Sequence, residues 1–279
     1  NGGRSTVYGH DGSPKGVIAL SNIHPSSVIE DGAQIDPSAV IGPFCLVGSD
    51  VTIGPDVELK SHVVVKGRTV IGEGTVVFSF AVIGEIPQDL KFKGEQSGLV
   101  IGKRNRIREH VTMNAGTEGG GGMTKVGDGC LFMAGCHIAH DAIIGDRVII
   151  VNSAAIAGHC ILEDDVIVGG LSGIHQFVRI GRGAIVGAVT MVTNDVIPYG
   201  LVQAPRGALD GLNLVGLKRR GVARIDITAL RAAFQILAQG DGTFHNRVER
   251  LGAETDSVYV QEIVDFVTGD TDRSFLTPR

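Results

Sequence analysis

The sequence contains no tryptophan, and aromatic residues make up only 5% of its 279 residues, although 43% are hydrophobic. A core without large rings must be built from small and β-branched side chains, which suits thin, stacked, repetitive layers. No run of about 18 apolar residues occurs, so no membrane-spanning helix is predicted. The formal net charge of −5 argues against nucleic-acid binding by the whole surface, although local basic clusters remain possible.

Cysteine is scarce and lacks the close spacing that is typical of metal sites. The four cysteines, Cys45, Cys130, Cys136 and Cys160, contain no CxxC pair, and all fall on one phase of the repeat described next. We therefore predict that they are small buried core residues rather than disulfides or metal ligands, and a reducing compartment fits this composition.

The feature that the sequence has in abundance is a six-residue period. An aliphatic residue recurs every six positions over 23–83, again over 101–113, and again over 126–192. A small or β-branched residue usually lies four positions after each aliphatic residue. A helix with 3.6 residues per turn cannot keep such a period on one face, whereas a short strand followed by a corner can.

Hexapeptide repeats predict a parallel β-helix in which three hexads form a coil of about 18 residues, with coils stacked about 4.8 Å apart. Known hexapeptide folds wind left-handed, and we expect that hand by resemblance. The predicted organisation is mainly β. A flexible N-terminal extension at 1–22 precedes a left-handed parallel β-helix at 23–198, which carries loops at 84–100 and 115–125. An α-helical C-terminal domain at 199–279 follows.

The 18-residue coil brings polar residues onto one edge of the predicted prism. Gly158 lies one coil above His140, His159 lies one coil above Asp141, and Gln176 lies two coils above His140. None of them occupies a core phase, so we expect their side chains to project outward. A flat prism face makes a poor pocket, so we expect a cleft only where a second prism packs alongside.

His140 followed at once by Asp141 places a candidate base beside a group that could fix its tautomer. Two other interpretations of the histidines stay open at this point. Three imidazoles could bind zinc tetrahedrally, or the histidines could be satisfied core residues.

Several segments together resemble the UDP-N-acetylglucosamine O-acyltransferases, which make the first acyl transfer of lipid A synthesis. The matching segments are GPFCLVG at 42–48, LKSHVVVKG at 59–67, QDLK at 88–91, RNRIRE at 104–109, HIAHD at 137–141, AGH at 157–159, HQF at 175–177 and GLKRRG at 216–221. The resemblance implies a homotrimer with active sites between prisms. It also implies UDP-N-acetylglucosamine as acceptor, acyl carrier protein as donor, and no cofactor or metal beyond the acyl thioester.

By this resemblance His140 is the general base, Asp141 orients or polarises its imidazole, and the backbone N–H of Gly158 stabilises the thioester oxyanion. The residues implied to line the nucleotide-sugar cleft are Gln88, Asp89, Lys91, His137, His159 and Gln176. Those implied to lie near the uridine and phosphates are Asn213 and Arg220. Lys218 and Arg219 extend a basic cluster that suits an acidic carrier protein.

The sequence departs from many bacterial members at two positions. Asn114 stands where many have histidine, and Val215 stands where an acidic residue is common. Asn114 and the extension before Ile23 look more like plant relatives, which carry organellar targeting sequences. We therefore predict a mitochondrial location, with the bacterial cytoplasm as the alternative. The competing functions are a coenzyme-A-dependent acetyltransferase, a zinc γ-type carbonic anhydrase and a catalytically silent scaffold.

Overall fold

The computed structural model describes residues 22–203, 207–271 and 273–278, so residues 1–21 of the predicted N-terminal extension lie outside the described residues. The fold is a left-handed parallel β-helix followed by a small helical domain, as predicted. Each hexad contributes a short strand, most often two residues long, and a corner. Three hexads close one triangular coil, so the strands stack into three sheets.

The first sheet holds the strands that precede the polar edge. They are β1 Val28–Ile29, β4 Leu46–Val47, β7 Val64–Val65, β10 Val82–Glu85, β13 Thr112–Asn114, β16 His137–Ile138, β19 Ala155–Ile156, β22 Gly173–Ile174 and β25 Met191–Val192. The second sheet holds β2 Gln34–Ile35, β5 Thr52–Ile53, β8 Arg68–Ile71, β11 Gly98–Ile101, β14 Met123–Val126, β17 Ile143–Ile144, β20 Ile161–Leu162 and β23 Arg179–Ile180.

The third sheet completes the prism and closes with an antiparallel hairpin. It holds β3 Val40–Ile41, β6 Glu58–Leu59, β9 Val76–Val77, β12 Arg106–Ile107, β15 Leu131–Phe132, β18 Ile149–Ile150, β21 Ile167–Val168, β24 Ile185–Val186, β26 Gly200–Gln203 and β27 Ala208–Leu212. Strand β26 still pairs in parallel with β24, so the third sheet continues beyond residue 198 before the helices begin. We call the corner between the first and second sheets the first edge, that between the second and third the second edge, and the remaining corner the third edge.

The prism interior is filled by the aliphatic residue of each hexad. Val47, Val65, Ile83, Ile138 and Ile156 stack along the inside of the first sheet, and each is 0% exposed. Burying one such side chain contributes about 1.5–3 kcal/mol, so the repeat itself supplies the core. The four cysteines are free and buried in this interior, as predicted, and burial raises the pKa of the Cys136 and Cys160 thiols to about 12.

Two insertions interrupt the coils, and both leave from the first edge. The chain between β10 and β11 runs outward over 86–97, and the chain between β13 and β14 runs outward over 115–122. The second insertion contains a single 3-10 turn at Glu118–Gly120. Because β10, β13 and β16 are neighbours in the first sheet, the two loops lie on the coils immediately before the one that carries His140.

The helical domain contains α1 Leu214–Arg219, α2 Arg224–Gln239, α3 Phe244–Glu254 and α4 Val258–Thr268. The tail then returns to the prism, where Asp195 and Phe275 form a parallel bridge. The fully buried Asp195 pairs with Arg179 at 2.7 Å, and the Arg179 guanidinium lies 4.6 Å from the centre of the Phe266 ring. None of the helices in the described ranges is both long and apolar enough to cross a membrane.

Candidate active site

His140 and Asp141 form the first-edge corner between β16 and β17. Asp141 has a φ of 60°, so it adopts the left-handed conformation that asparagine and aspartate tolerate better than most residues. The equivalent corners on the next two coils place His159 (φ 62°) and Phe177 (φ 66°) in the same conformation. One repeated backbone turn therefore presents a column of functional side chains.

The Asp141 carboxylate is buried, with a side chain only 1% exposed, and both of its oxygens accept hydrogen bonds. His140 Nδ1 lies 2.8 Å from Oδ2. Thr117 donates its backbone N–H to Oδ1 at 2.8 Å and its hydroxyl to Oδ2 at 2.6 Å. An ionised carboxylate can only accept, so we assign the proton of the contact to His140 Nδ1, which leaves Nε2 as an acceptor.

Gly158 lies directly above the His140 ring, as the 18-residue arithmetic predicts. A Cβ atom on Gly158 would sit 2.6 Å from His140 Cε1 and 2.7 Å from Nε2, so only glycine leaves room for the imidazole. Gly158 is buried, and its N–H has no hydrogen-bond acceptor within the described part of the chain. An unpaired backbone donor therefore lies beside the free nitrogen of the candidate base.

His159 extends the column, with Nδ1 3.7 Å from Asp141 Oδ2. Its ring meets the His140 ring edge-on, with centroids 5.0 Å apart, and stacks flat on Phe177 at 4.4 Å. Burial lowers the pKa of His159, partly opposed by the attraction of Asp141. A neutral imidazole at this place can donate or accept a hydrogen bond at neutral pH.

His137 lies on β16 rather than at the corner, and its Nδ1 is 2.8 Å from the Thr112 hydroxyl on the coil below. Burial lowers its pKa, and the nearby His140 lowers it further. Gln176 lies at the first edge two coils above His140 and is exposed. Arg273 from the C-terminal tail donates to the Gln176 carbonyl at 2.7 Å and therefore fixes this corner.

The two loops and the first edge form a half-open pocket of about 610 Å³ within a single chain. Its walls include Asp89, Lys91, Glu95, Thr117, His159 and Phe177. Asp141 projects out of the prism core, as expected, and the loop at 115–122 covers its carboxylate. The expectation that one prism offers no pocket was wrong, because both insertions leave from the edge that bears the histidines.

The structure places the remaining predicted residues at two other locations. Gln88 is an exposed residue of the loop at 86–97. Asn213 is buried at the second edge, where it donates to the Gly183 carbonyl at 2.9 Å and caps α1 by accepting from Gly216 N–H. Arg220 also lies at the second edge, where its guanidinium is 5.9 Å from the centre of the Tyr199 ring and a Cβ atom on Gly183 would lie 2.5 Å from its Nη2.

Lys218 and Arg219 lie in the last turn of α1 and are exposed beside these second-edge residues.

Two residues were noted above as departures from many bacterial family members. Asn114 donates to the carbonyls of Glu85 and Ile86 and so anchors the base of the first loop, while Val215 is exposed. Sequence reasoning did not single out Thr117 or Arg273. Neither has a periodic signal, because one lies in an insertion and the other in the tail.

Three side chains at the first edge also lie close enough together to hold a metal ion, because one nitrogen or oxygen from each of His140, Asp141 and His159 lies within 4.8 Å of the others. In this structure the nearest of these atoms hydrogen-bond to protein groups instead. The contact between His140 Nδ1 and Asp141 Oδ2 has hydrogen-bond length, and Asp141 also accepts twice from Thr117. This arrangement fits a base held by a carboxylate better than it fits a zinc ligand set.

Comparison with known proteins adds independent information about this chain. The family described as UDP N-acetylglucosamine O-acyltransferase, domain 2, matches residues 195–276, and the bacterial transferase hexapeptide family matches 26–61 and 123–158. A solved structure of UDP-N-acetylglucosamine acyltransferase from Campylobacter jejuni is 38% identical, with a TM-score of 0.87 over 92% of this chain and 100% of that chain.

Two curated bacterial relatives carry the name acyl-(acyl-carrier-protein)–UDP-N-acetylglucosamine O-acyltransferase. The protein from Paracoccus denitrificans is 66% identical over 204 residues, which cover 73% of this chain and 77% of the relative. The protein from Agrobacterium fabrum is 43% identical over 264 residues, which cover 94% of this chain and 97% of the relative.

The predicted mitochondrial location is wrong, because these relatives are bacterial enzymes. The identity of the residue at Asn114 does not outweigh that similarity. The alternative, the bacterial cytoplasm, is consistent with the relatives.

The chain covers most of two such enzymes at 66% and 43% identity, and it therefore belongs to the acyl-(acyl-carrier-protein)–UDP-N-acetylglucosamine O-acyltransferase family.

Proposed function

We propose that His140 is the general base in an acyl transfer from acyl carrier protein to the 3-hydroxyl of UDP-N-acetylglucosamine. Family membership supplies the overall reaction, which is the first step of lipid A biosynthesis. The observation that carries the assignment of the base is the buried Asp141 carboxylate at 2.8 Å from Nδ1, which leaves Nε2 as the acceptor beside Gly158.

The chemistry follows from these three groups. Nε2 of His140 removes the proton from the sugar hydroxyl as its oxygen attacks the thioester carbonyl carbon. The oxyanion of the tetrahedral intermediate accepts a hydrogen bond from the Gly158 N–H. Collapse of the intermediate breaks the C–S bond, and the departing thiolate takes the proton back from the His140 imidazolium. The sequence of steps uses no covalent enzyme intermediate, no metal and no cofactor.

The half-open pocket supports a site for the nucleotide sugar next to this base. Lys91 brings a positive charge to the wall, and its backbone N–H donates to Asp89 Oδ1 at 3.0 Å, which shapes the turn of the loop. The Lys91 ammonium suits the diphosphate, while Asp89 and His159 suit sugar hydroxyls. Gln88, His137 and Gln176 surround the same edge and complete the proposed acceptor site.

The separation of the predicted residues supports a homotrimer. Asn213 and Arg220 lie at the second edge, whereas His140 lies at the first edge of the same prism, so one chain cannot bring them together. A closed ring of three prisms would place the second edge of one subunit against the first edge of its neighbour. The exposed Lys218 and Arg219 would then lie near the mouth of the site, where they suit an acidic carrier protein.

A donor comparison tests the reaction. Purified protein is given UDP-N-acetylglucosamine with either acyl carrier protein thioester or the matching acyl-coenzyme A, and metal content is measured on the same sample. We expect transfer from the carrier-protein thioester, with activity that survives a chelator. Strong preference for coenzyme A, or activity that depends on zinc, would favour the competing hexapeptide enzymes instead.

Subunit mixing tests the shared site. His140→Ala and Arg220→Ala subunits are each expected to form weakly active homotrimers. Random mixing of the two by co-expression should restore roughly a quarter of the wild-type sites, because one interface in four then combines an intact first edge with an intact second edge. No recovery in verified mixed trimers would contradict a site built between neighbouring subunits.

A further inference from the structure

Thr117 holds both oxygens of the Asp141 carboxylate. Its N–H donates to Oδ1 at 2.8 Å, and its hydroxyl donates to Oδ2 at 2.6 Å. Oδ2 is the oxygen that also contacts His140 Nδ1. Thr117 is itself only 6% exposed, with an extended backbone (φ −123°, ψ 157°) that places its N–H and hydroxyl on the same side.

The loop around Thr117 leaves the carboxylate no freedom to turn. A Cβ atom on Gly120 would lie between 2.0 and 2.3 Å from the Asp141 carboxyl atoms, and one on Gly116 would lie 2.7 Å from Oδ1. From the other side, the Asp141 backbone N–H donates to the Thr124 hydroxyl at 2.8 Å. The two glycines therefore let the loop backbone close directly onto the carboxylate, while Thr117 sets its orientation and Thr124 holds the backbone of Asp141.

We propose that Thr117 is a positioning residue for the acyl transfer, acting as a two-point clamp on Asp141. This inference rests on the proposed role of His140 as base. The clamp fixes the plane of the carboxylate so that Oδ2 faces His140 Nδ1, which keeps the proton on Nδ1 and leaves Nε2 free. Thr117 acts through Asp141, and the same loop contributes Glu118 and Gly119 to the wall of the pocket.

The test removes the hydroxyl while keeping the shape and the backbone donor. Thr117→Val should lower kcat about 10- to 100-fold through misorientation of the base, with the KM for UDP-N-acetylglucosamine changed less than about twofold. Thr117→Ser, which restores the O–H donor, should return kcat to within about threefold of wild type. Wild-type kcat in Thr117→Val would overturn the proposal.

A matched control separates positioning from general loss of a buried hydroxyl. Thr75 is 0% exposed, and its hydroxyl donates to the Gly102 carbonyl at 3.1 Å and accepts from Asn105 N–H at 3.2 Å, away from the first edge. Thr75→Val should lower the Tm comparably and leave kcat unchanged. If Thr117→Val does not fold as the wild-type assembly, Thr117→Ala provides the same loss of the donor without the bulk of a valine.

A double-mutant cycle identifies the path of the effect. When Thr117→Val is added to Asp141→Asn, kcat should fall by less than about twofold relative to Asp141→Asn alone. The clamp then has no carboxylate to hold. If the fold-loss of kcat in the double variant equals the product of the losses in the two single variants, Thr117 acts independently of Asp141. That result would overturn the clamp. The base assignment is separable, because it fails only if His140→Ala keeps its activity.

Discussion

The first and third edges of the prism both carry columns of histidine and phenylalanine rings, yet of the two only the first has a buried carboxylate beside a histidine. At the third edge, the rings of Phe44, His62, Phe80 and His110 stack with centroids 4.9, 5.0 and 5.2 Å apart. At the first edge, His140, His159 and Phe177 form a shorter column with centroids 5.0 and 4.4 Å apart, in which His140 meets His159 edge-on. Corner residues of both columns share the left-handed backbone conformation.

The difference lies in what surrounds the rings. His62 and His110 are exposed, and neither side chain has a hydrogen-bonded carboxylate among the residues that the structure describes. At the first edge, two insertions cover the column, and Asp141 provides a buried carboxylate to His140. The repeat thus supplies a column of rings at both edges, and the carboxylate and loops make the column at the first edge a candidate catalytic site.

The sharpest test of this comparison is to delete the base. His140→Ala should lower kcat by about 10² to 10⁴-fold, because the proton acceptor is lost, while nucleotide binding changes little. Its side chain lies outside the prism core, so Tm should change little. The test is to measure kcat and UDP-N-acetylglucosamine affinity for wild type and for folded His140→Ala. Near-normal kcat would exclude His140 as the base and make His137 or His159 the next candidate.

Removing only the charge of the carboxylate should have a smaller effect. Asp141→Asn keeps the base but disturbs its orientation, so we expect kcat to fall about 10- to 100-fold. The asparagine amide can accept from only one of the two Thr117 donors, which leaves a buried donor unsatisfied at a cost of about 1–3 kcal/mol. Urea unfolding and kcat measured together check both parts. A larger kcat loss than in His140→Ala would contradict the assigned roles.

Burial of the first-edge histidines predicts a dependence of stability on pH. Burial lowers the pKa of both His137 and His159 in the folded protein. The negative charges of Asp141 and Asp89 raise the pKa of His159 in part, and the positive charge of Lys91 lowers it further. The unfolded chain therefore binds protons that the folded chain does not. The free energy of unfolding should fall as pH drops below about 6.5, the ordinary imidazole value.

Unfolding curves at several pH values between neutral and mildly acidic conditions provide the measurement. Replacing both His137 and His159 with glutamine should flatten the decline, since glutamine does not titrate. A double variant that loses stability on acidification as steeply as wild type would show that other groups cause the dependence.

The smallest effect is expected at the third edge. His62→Ala removes one ring from the exposed stack, and an aromatic pair is worth about 0.5–1.5 kcal/mol. We expect Tm to fall slightly and kcat to stay within about twofold of wild type. The same assay used for His140→Ala provides the comparison. A large loss of kcat would show that the third edge also contributes to catalysis.

The six-residue period of the sequence was enough to predict the fold and the contacts along the first edge. The placement of Gly158 over His140, and of His159 beside Asp141, follows from adding 18, because no insertion lies between these coils. The rule fails one coil lower, where Thr112 pairs with His137 at a separation of 25 residues because the loop at 115–122 lies between them. Repeat arithmetic is reliable only while the chain follows the repeat.

The sequence by itself determined the β-helix, its aliphatic core and the column of His140, Gly158 and His159, because those features depend on a local period that each coil repeats. Only the tertiary structure decided that Thr117 hydrogen-bonds both carboxylate oxygens of Asp141, that the loops form a half-open pocket, and that Arg220 lies at a different edge from His140. Loops and the C-terminal helices have no period. Their positions depend on long-range packing, as where Arg273 meets Gln176 across 97 residues of chain.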